Sequence, residues 1–184
     1  MSLNFLNFPD FCLKHDGKCL AVIEVKSVTT GLHVKHVYQA VSYAANEGIE
    51  WVILTNGDDW HLYRVVFGKP ITQDLVFGIS ITDDTKPKAK TDLLYLLSHE
   101  SQRKDELKQY YDKKAALCGL SVAKVLLALP MLMKLRSEMR TATGYRVGVD
   151  ELATILVEEV FRPEAQGGQT ARLIKKAAAA SKKA

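Results

Sequence analysis

Glu24 and Lys26 stand two residues apart at the end of Cys19-Leu20-Ala21-Val22-Ile23-Glu24-Val25-Lys26, a run that is apolar at both alternating positions until Glu24. On a strand, residues two apart project from one face, so an acid and a base are set side by side. Two charges at the end of an apolar strand are costly to bury unless they are paired, hydrogen-bonded or bound to a metal. An ion pair alone would meet that demand. It leaves unexplained a second acid, Asp10, which lies upstream of Asp16-Gly17, a dipeptide that signals a hairpin between apolar runs. Two carboxylates and a lysine brought to one end of a sheet form a candidate divalent-cation site, because hard cations take oxygen ligands.

The hairpin register decides whether the acids meet. A two-residue turn at Asp16-Gly17 pairs residues whose numbers sum to about 33, which opposes Asp10 to Ile23 and turns the two acids to opposite faces. Convergence of Asp10 with Glu24 needs a sum of about 34, from a three-residue loop Asp16-Gly17-Lys18, a bulge or splayed strands. The three-residue loop is the expectation.

The elements that would hold these residues follow from pattern. Strands are expected over 4–14 and 19–26, the second with the two-faced apolar habit of a central strand. Val34, Val37, Tyr38, Val41, Ala44 and Ala45 recur at the spacing of one helix face, and Gly48 suits the terminating position. Trp51–Thr55, the turn Asn56-Gly57-Asp58-Asp59 and Trp60–Phe67 read as a second hairpin, with a further strand near Leu75–Ile81. Thr82–Lys90 is a polar connection and the expected boundary between a core over 1–82 and a helical region over 83–162. Helices are expected over 92–98, over 103–117 with a stop at Gly119, over 121–140 with a kink or break at Pro130, and over 150–161. A basic, low-complexity tail over 163–184 is expected to be mobile.

Composition narrows the class. The 184 residues are 47% hydrophobic and 25% charged, ordinary for a globular chain. No export signal opens the sequence, and the apolar run Leu126–Met133 is interrupted by Pro130 and falls short of the ~20 residues of a membrane span. A cytoplasmic protein without membrane contact is expected. The net charge of +4 is uneven: from Arg162 onward six basic residues face only Glu164, a surplus of five, which leaves −1 for the rest. Global basicity therefore argues only weakly for nucleic acid. The cysteines, Cys12, Cys19 and Cys118, lack metal-ligand spacing and read as reduced, packed thiols.

Pro9-Asp10, then Glu24-Val25-Lys26 after a hairpin, then Gln39-x-x-x-Tyr43 on the next helix, resemble the PD-(D/E)XK nuclease superfamily. More narrowly, Ala21-Val22-Ile23-Glu24-Val25-Lys26, Gln39-Ala40-Val41-Ser42-Tyr43-Ala44 and Trp51-Val52-Ile53-Leu54-Thr55-Asn56-Gly57 with Trp60-His61-Leu62-Tyr63 resemble the N-terminal nuclease domain of type I restriction enzyme motor subunits. The similarity spans roughly residues 9–80, and the ordered set is more specific than the acid-x-Lys triplet alone. The resemblance implies an α/β fold with a restriction-endonuclease-like mixed sheet, a flanking helix and a helical C-terminal region. It implies DNA as substrate, Mg²⁺ (or Mn²⁺) as cofactor, and Asp10, Glu24 and the Val25 carbonyl as metal ligands. Lys26 would orient or help deprotonate the attacking water. Gln39 would support the site or contact DNA, and Tyr43 and Lys35 would join it, although Tyr43 equally reads as a ring packed on the sheet and Lys35 as a solvated surface charge. The family usually carries a helix before the first strand, where nine residues precede Asp10 here, and no Gly-rich phosphate loop follows, so no DNA motor is expected.

Other residues have plainer readings. His33, His36 and His61 lie near the site but lack zinc-site spacing and read as ordinary surface or packing histidines. Asn56-Gly57-Asp58-Asp59 is explained by turn chemistry. The expected function is metal-dependent hydrolysis of a DNA phosphodiester. The alternative is a non-catalytic DNA-binding or assembly module of a restriction-modification system that keeps the fold. A small-molecule hydrolase fits the charges but not the ordered motifs. A homodimer or restriction-modification subunits are the expected protein partners.

Overall fold

The computed structural model describes residues 8–162, so the expected tail over 163–184 lies outside the described residues. The chain divides between Lys108 and Gln109 into two compact units.

The first unit is built on a sheet of strands β1 (Phe11–His15), β2 (Lys18–Val25), β3 (Trp51–Thr55), β4 (Asp59–Val66) and β5 (Thr72–Ser80), paired in chain order. β2 and β3 run parallel and the other neighbours antiparallel, which makes the sheet mixed. The parallel pair needs a crossover, and helix α1 (Val34–Asn46) supplies it. With its flanking helix and helical C-terminal region, the protein has an α/β fold.

α1 buries Val37, Ala40, Val41 and Ala44 against Val22 of β2, Val52 and Leu54 of β3, and Tyr63 and Val65 of β4. Burying Val37 and Val41 is worth about 1.5–3 kcal/mol each. Helix propensities differ by less than about 0.7 kcal/mol per ordinary residue, so packing decides that this valine-bearing segment is helical. The opposite face is buried too, through Ala21, Ile53, Leu62 and Phe77. There Ile79 and Ile81 share a cleft with Leu94 of helix α2 (Pro87–Tyr95). Burial of both faces is why β2 and β3 show no simple polar alternation.

Helix α3 (His99–Arg103) follows, capped by the Ser98 hydroxyl, which accepts the Ser101 N–H. Helix α4 (Glu106–Ala116) spans the division between the units. The second unit continues with α5 (Gly119–Leu126), α6 (Leu129–Thr143), α7 (Val149–Ile155) and a π-helical turn at Leu156–Val160. Its core joins Leu127, Leu132, Val149, Leu152, Ala153 and Val157.

Several expectations need correction. Gly119 opens a helix instead of ending one, because Ser121 turns its hydroxyl back to the Ala115 carbonyl at 2.8 Å and closes a tight corner there. Pro130 breaks the helix expected over 121–140: α5 ends at Leu126, Ala128 is extended, and Pro130 sits in the first turn of α6, where its missing N–H costs nothing. The helix expected over 92–98 begins earlier, at Pro87, for the same reason. Of the first strand, Phe8–Asp10 are not extended into the sheet.

Candidate active site

β2 ends at the edge of the α1 core, and Glu24 points to the same face as Val22, across from Leu54 on β3. It is 5% exposed. Lys26 follows on the same face, held by its N–H to the Thr55 carbonyl at 2.7 Å. Its ammonium lies 2.5 Å from the Glu24 carboxylate, with the lysine side chain 28% exposed. The pair expected from the two-residue spacing is therefore made, with the acid buried and the base reaching the surface.

Asp10 arrives by a route the sequence did not specify. The turn is the two-residue Asp16-Gly17, both in the left-handed region at φ of 49° and 77°, as a twisted hairpin turn requires. The three-residue loop is thus corrected. Lys14 pairs with Cys19 but Leu13 pairs with Ala21, so Leu20 is an extra residue in β2, a bulge. Past the bulge Phe11 opposes Ile23 as the last pair of the ladder, a register that, continued, sets Asp10 on the Glu24 side, and Asp10 itself lies in a bend just beyond it. The Asp10 carboxylate accepts the Val25 N–H at 2.7 Å, so it sits against the peptide unit that follows Glu24.

Cys12 and Cys19 face each other across the hairpin with their Cα atoms 6.0 Å apart, and they form a disulfide. The expectation of reduced, packed thiols is corrected for these two; Cys118 is free and exposed.

The helix residues divide. Tyr43 is partly buried against the sheet core, and its ring meets Phe8 edge-on at 5.8 Å, which steadies the segment leading to Asp10. Gln39 and Lys35 are exposed on α1 and hydrogen-bond to neither Glu24 nor Lys26. His36 is drawn in, although its spacing gave no sign of it. α1 runs back along β2, so its first turn lies near the end of that strand. The His36 Nδ1 accepts the His33 N–H at 3.3 Å, which leaves the proton for Nε2. Partial desolvation, then the charges of Lys35, His33 and Lys26, hold its imidazole below the usual range, while Glu24 pulls the other way. A neutral imidazole beside an acid–base pair can donate or relay a proton. The signal available in sequence was position alone: it lies in the first turn after the loop that leaves Lys26.

Asn56 is 7% exposed and does more than shape its turn. Its carbonyl accepts the Asp58 and Asp59 N–H groups at 3.1 and 2.7 Å, and its amide donates to the Thr30 carbonyl at 3.0 Å. That last bond fastens the loop between Lys26 and α1 to the end of β3.

Among the described residues no group of three or more His, Cys, Asp and Glu side chains is placed to hold a metal ion. The available donors are two carboxylates and a backbone carbonyl, all hard oxygens. Such a set suits Mg²⁺, which keeps several waters and takes one or two carboxylates, and suits zinc poorly. None of the described helices is long and apolar enough to cross a membrane.

No curated protein and no solved structure matches the chain. Residues 7–75, which carry Asp10, Glu24, Lys26, Gln39 and Tyr43, match the family model of the type I restriction enzyme R protein N terminus.

Proposed function

We propose that the first unit is a PD-(D/E)XK-type nuclease centre that hydrolyses DNA phosphodiesters. The observation that carries the reading is the hydrogen bond from the Val25 N–H to the Asp10 carboxylate, which holds that acid against the peptide following Glu24 while Glu24 pairs with Lys26, in a hairpin whose register is shifted by a bulge. The family match at residues 7–75 supports a restriction-enzyme setting.

Asp10, Glu24 and the Val25 carbonyl would hold Mg²⁺, which when bound supplies a Lewis acid for water and for the phosphoryl oxygen. Asp10 is oriented by the Val25 N–H, and Glu24 by burial and Lys26. Lys26 ends in a half-open position, where its ammonium can orient the attacking water and offset charge growing on the phosphate. Gln39 and Lys35 present a donor and a cation from the exposed side of α1 to the nucleic-acid backbone. Restriction-modification subunits are the protein partners this reading favours.

The test is nicking of supercoiled plasmid with Mg²⁺ or Mn²⁺ by wild type against Glu24→Ala. Cleavage by wild type that is abolished in the variant is expected. Cleavage that survives in Glu24→Ala with Lys26→Ala overturns the site. DNA binding without cleavage favours a non-catalytic module instead.

A further inference from the structure

The second unit holds a pocket of about 640 Å³ that is lined by Arg136, Arg140 and Arg146. Arg136 and Arg140 stand one turn apart on α6 and so share a face. α6 ends at Gly144, whose φ of 77° turns the chain back and returns Arg146 to that face. Ser137 and Gly148 complete the polar lining, and no carboxylate lines the pocket.

Of the nearby acids, Glu138 pairs with Lys134 at 2.8 Å, and Glu151 accepts the backbone N–H at the pocket's Gly148 edge at 2.6 Å. Asp150 and Glu151 line an adjoining cleft with Met139 and Ile155, which meets the arginine pocket at Val147. Among the described residues no hydrogen bond or ion pair engages any of the three guanidinium groups. Three like charges around one concavity repel each other until an anion enters. Guanidinium is also the side chain whose rigid donor fork matches phosphate oxygens two at a time.

We propose that this pocket is a second DNA-binding site, a cradle for backbone phosphates carried by the helical unit. A duplex backbone suits it better than a small phosphate metabolite, because all three arginines are exposed and no buried polar side chain shapes an enclosed site. A cradle of this kind positions a duplex without reading its sequence. The inference rests on the DNA reading of the first unit but not on cleavage there.

The test is metal-free binding of a fluorescent duplex, followed by anisotropy over a salt series. The full chain is compared with Arg136→Gln/Arg140→Gln/Arg146→Gln and with Lys108→Ala/Lys113→Ala/Lys124→Ala, which removes equal charge outside the pocket. The arginine variant should bind about tenfold or more weakly, with its salt slope reduced by about 2–3, near 0.9 for each phosphate no longer neutralised. Replacement of all three by lysine should restore the slope and part of the affinity. Equal weakening in the two triple variants would mean general basicity and overturn the proposal. Unchanged DNA affinity in the arginine variant, with wild type taking up inorganic phosphate saturably, would make it a small-anion site and also overturn it. Because no metal is present, wild-type binding that disappears in the arginine variant upholds the cradle even if plasmid nicking is never seen. Nicking with no effect of the arginine variant on DNA affinity upholds only the nuclease and overturns the cradle.

Discussion

The backbone N–H of Val25 donates to the carboxylate of Asp10 at 2.7 Å, beyond Phe11 and Ile23, the last paired residues of the hairpin. One bond thus closes the end of the ladder and aims an acid at the peptide that joins Glu24 to Val25. Asp10 has this structural task, and the metal-ligand role proposed for it can be separated from it.

Asp10→Asn keeps an oxygen acceptor for Val25 and removes the charge. It should melt within about 0.5 kcal/mol of wild type, in keeping with a retained neutral hydrogen bond. Mn²⁺-induced broadening of nearby resonances should weaken strongly. Asp10→Ala should lose both the bond and the metal response, with about 1 kcal/mol of stability. Equal Mn²⁺ binding by Asp10→Asn and wild type would remove Asp10 from the ligand set.

Glu24 and Lys26 are open to a double-mutant cycle. Lys26→Ala leaves a carboxylate with 6% side-chain exposure unpartnered and should cost on the order of 2 kcal/mol. Adding Glu24→Gln should recover part of that loss, since the residual group is neutral. Denaturant titration gives the coupling, and additivity within about 0.5 kcal/mol would show the pair to be energetically idle.

This pair was the most legible part of the site, because strand period two fixes a common face without knowledge of the rest of the fold. α1 was legible for a similar reason, its apolar stripe at helical spacing. The bulge at Leu20 was not, since a leucine in an apolar run carries no local sign of being unpaired. The Cys12–Cys19 disulfide was hidden too, because neither residue carries metal-ligand or framework spacing and only the folded hairpin sets their Cα atoms 6.0 Å apart. The break at Pro130 was legible from its missing N–H, whereas Gly119 was read as a stop where the chain uses it as a beginning, a distinction that depends on the extended residue just before it, Cys118.

Asp58 should give a pH-dependent contribution. Its carboxylate accepts the Thr82 N–H at 2.8 Å and the Ser80 hydroxyl at 3.3 Å, joining the β3–β4 turn to the end of β5. The Thr82 backbone bond, then its side chain, hold Asp58 below the usual carboxylate range. A depressed acid stabilises fully above its unfolded pKa of about 4 and loses that contribution as pH falls through the lower folded value. Asp58→Ala should therefore melt below wild type at neutral pH, with the gap narrowing as the pH falls below the ordinary carboxylate range of about 4. A gap independent of pH would mean that the charge plays no part.

Thiol chemistry should separate the cysteines. Without reductant, denatured protein should show one reactive thiol, and three after reduction. The one reactive thiol should be Cys118, whose hydrogen bonds with Ser121 lower its pKa, so in the folded protein its alkylation should rise at lower pH than in Ser121→Ala. Three reactive thiols before reduction would remove the cross-link.

The extra residue Leu20 also partitions what sequence change can do. β2 takes part in two ladders, and its pairing with β3 starts only at Ala21, after the bulge. Slack introduced in the turn or in β1 is absorbed before the parallel ladder begins. Insertions and deletions there can retune where Asp10 falls while the frame that holds Glu24, Lys26 and α1 stays in place. The hairpin acts as an adjustable jaw on a fixed anvil, so drift in residues 11–20 bears on Asp10 alone.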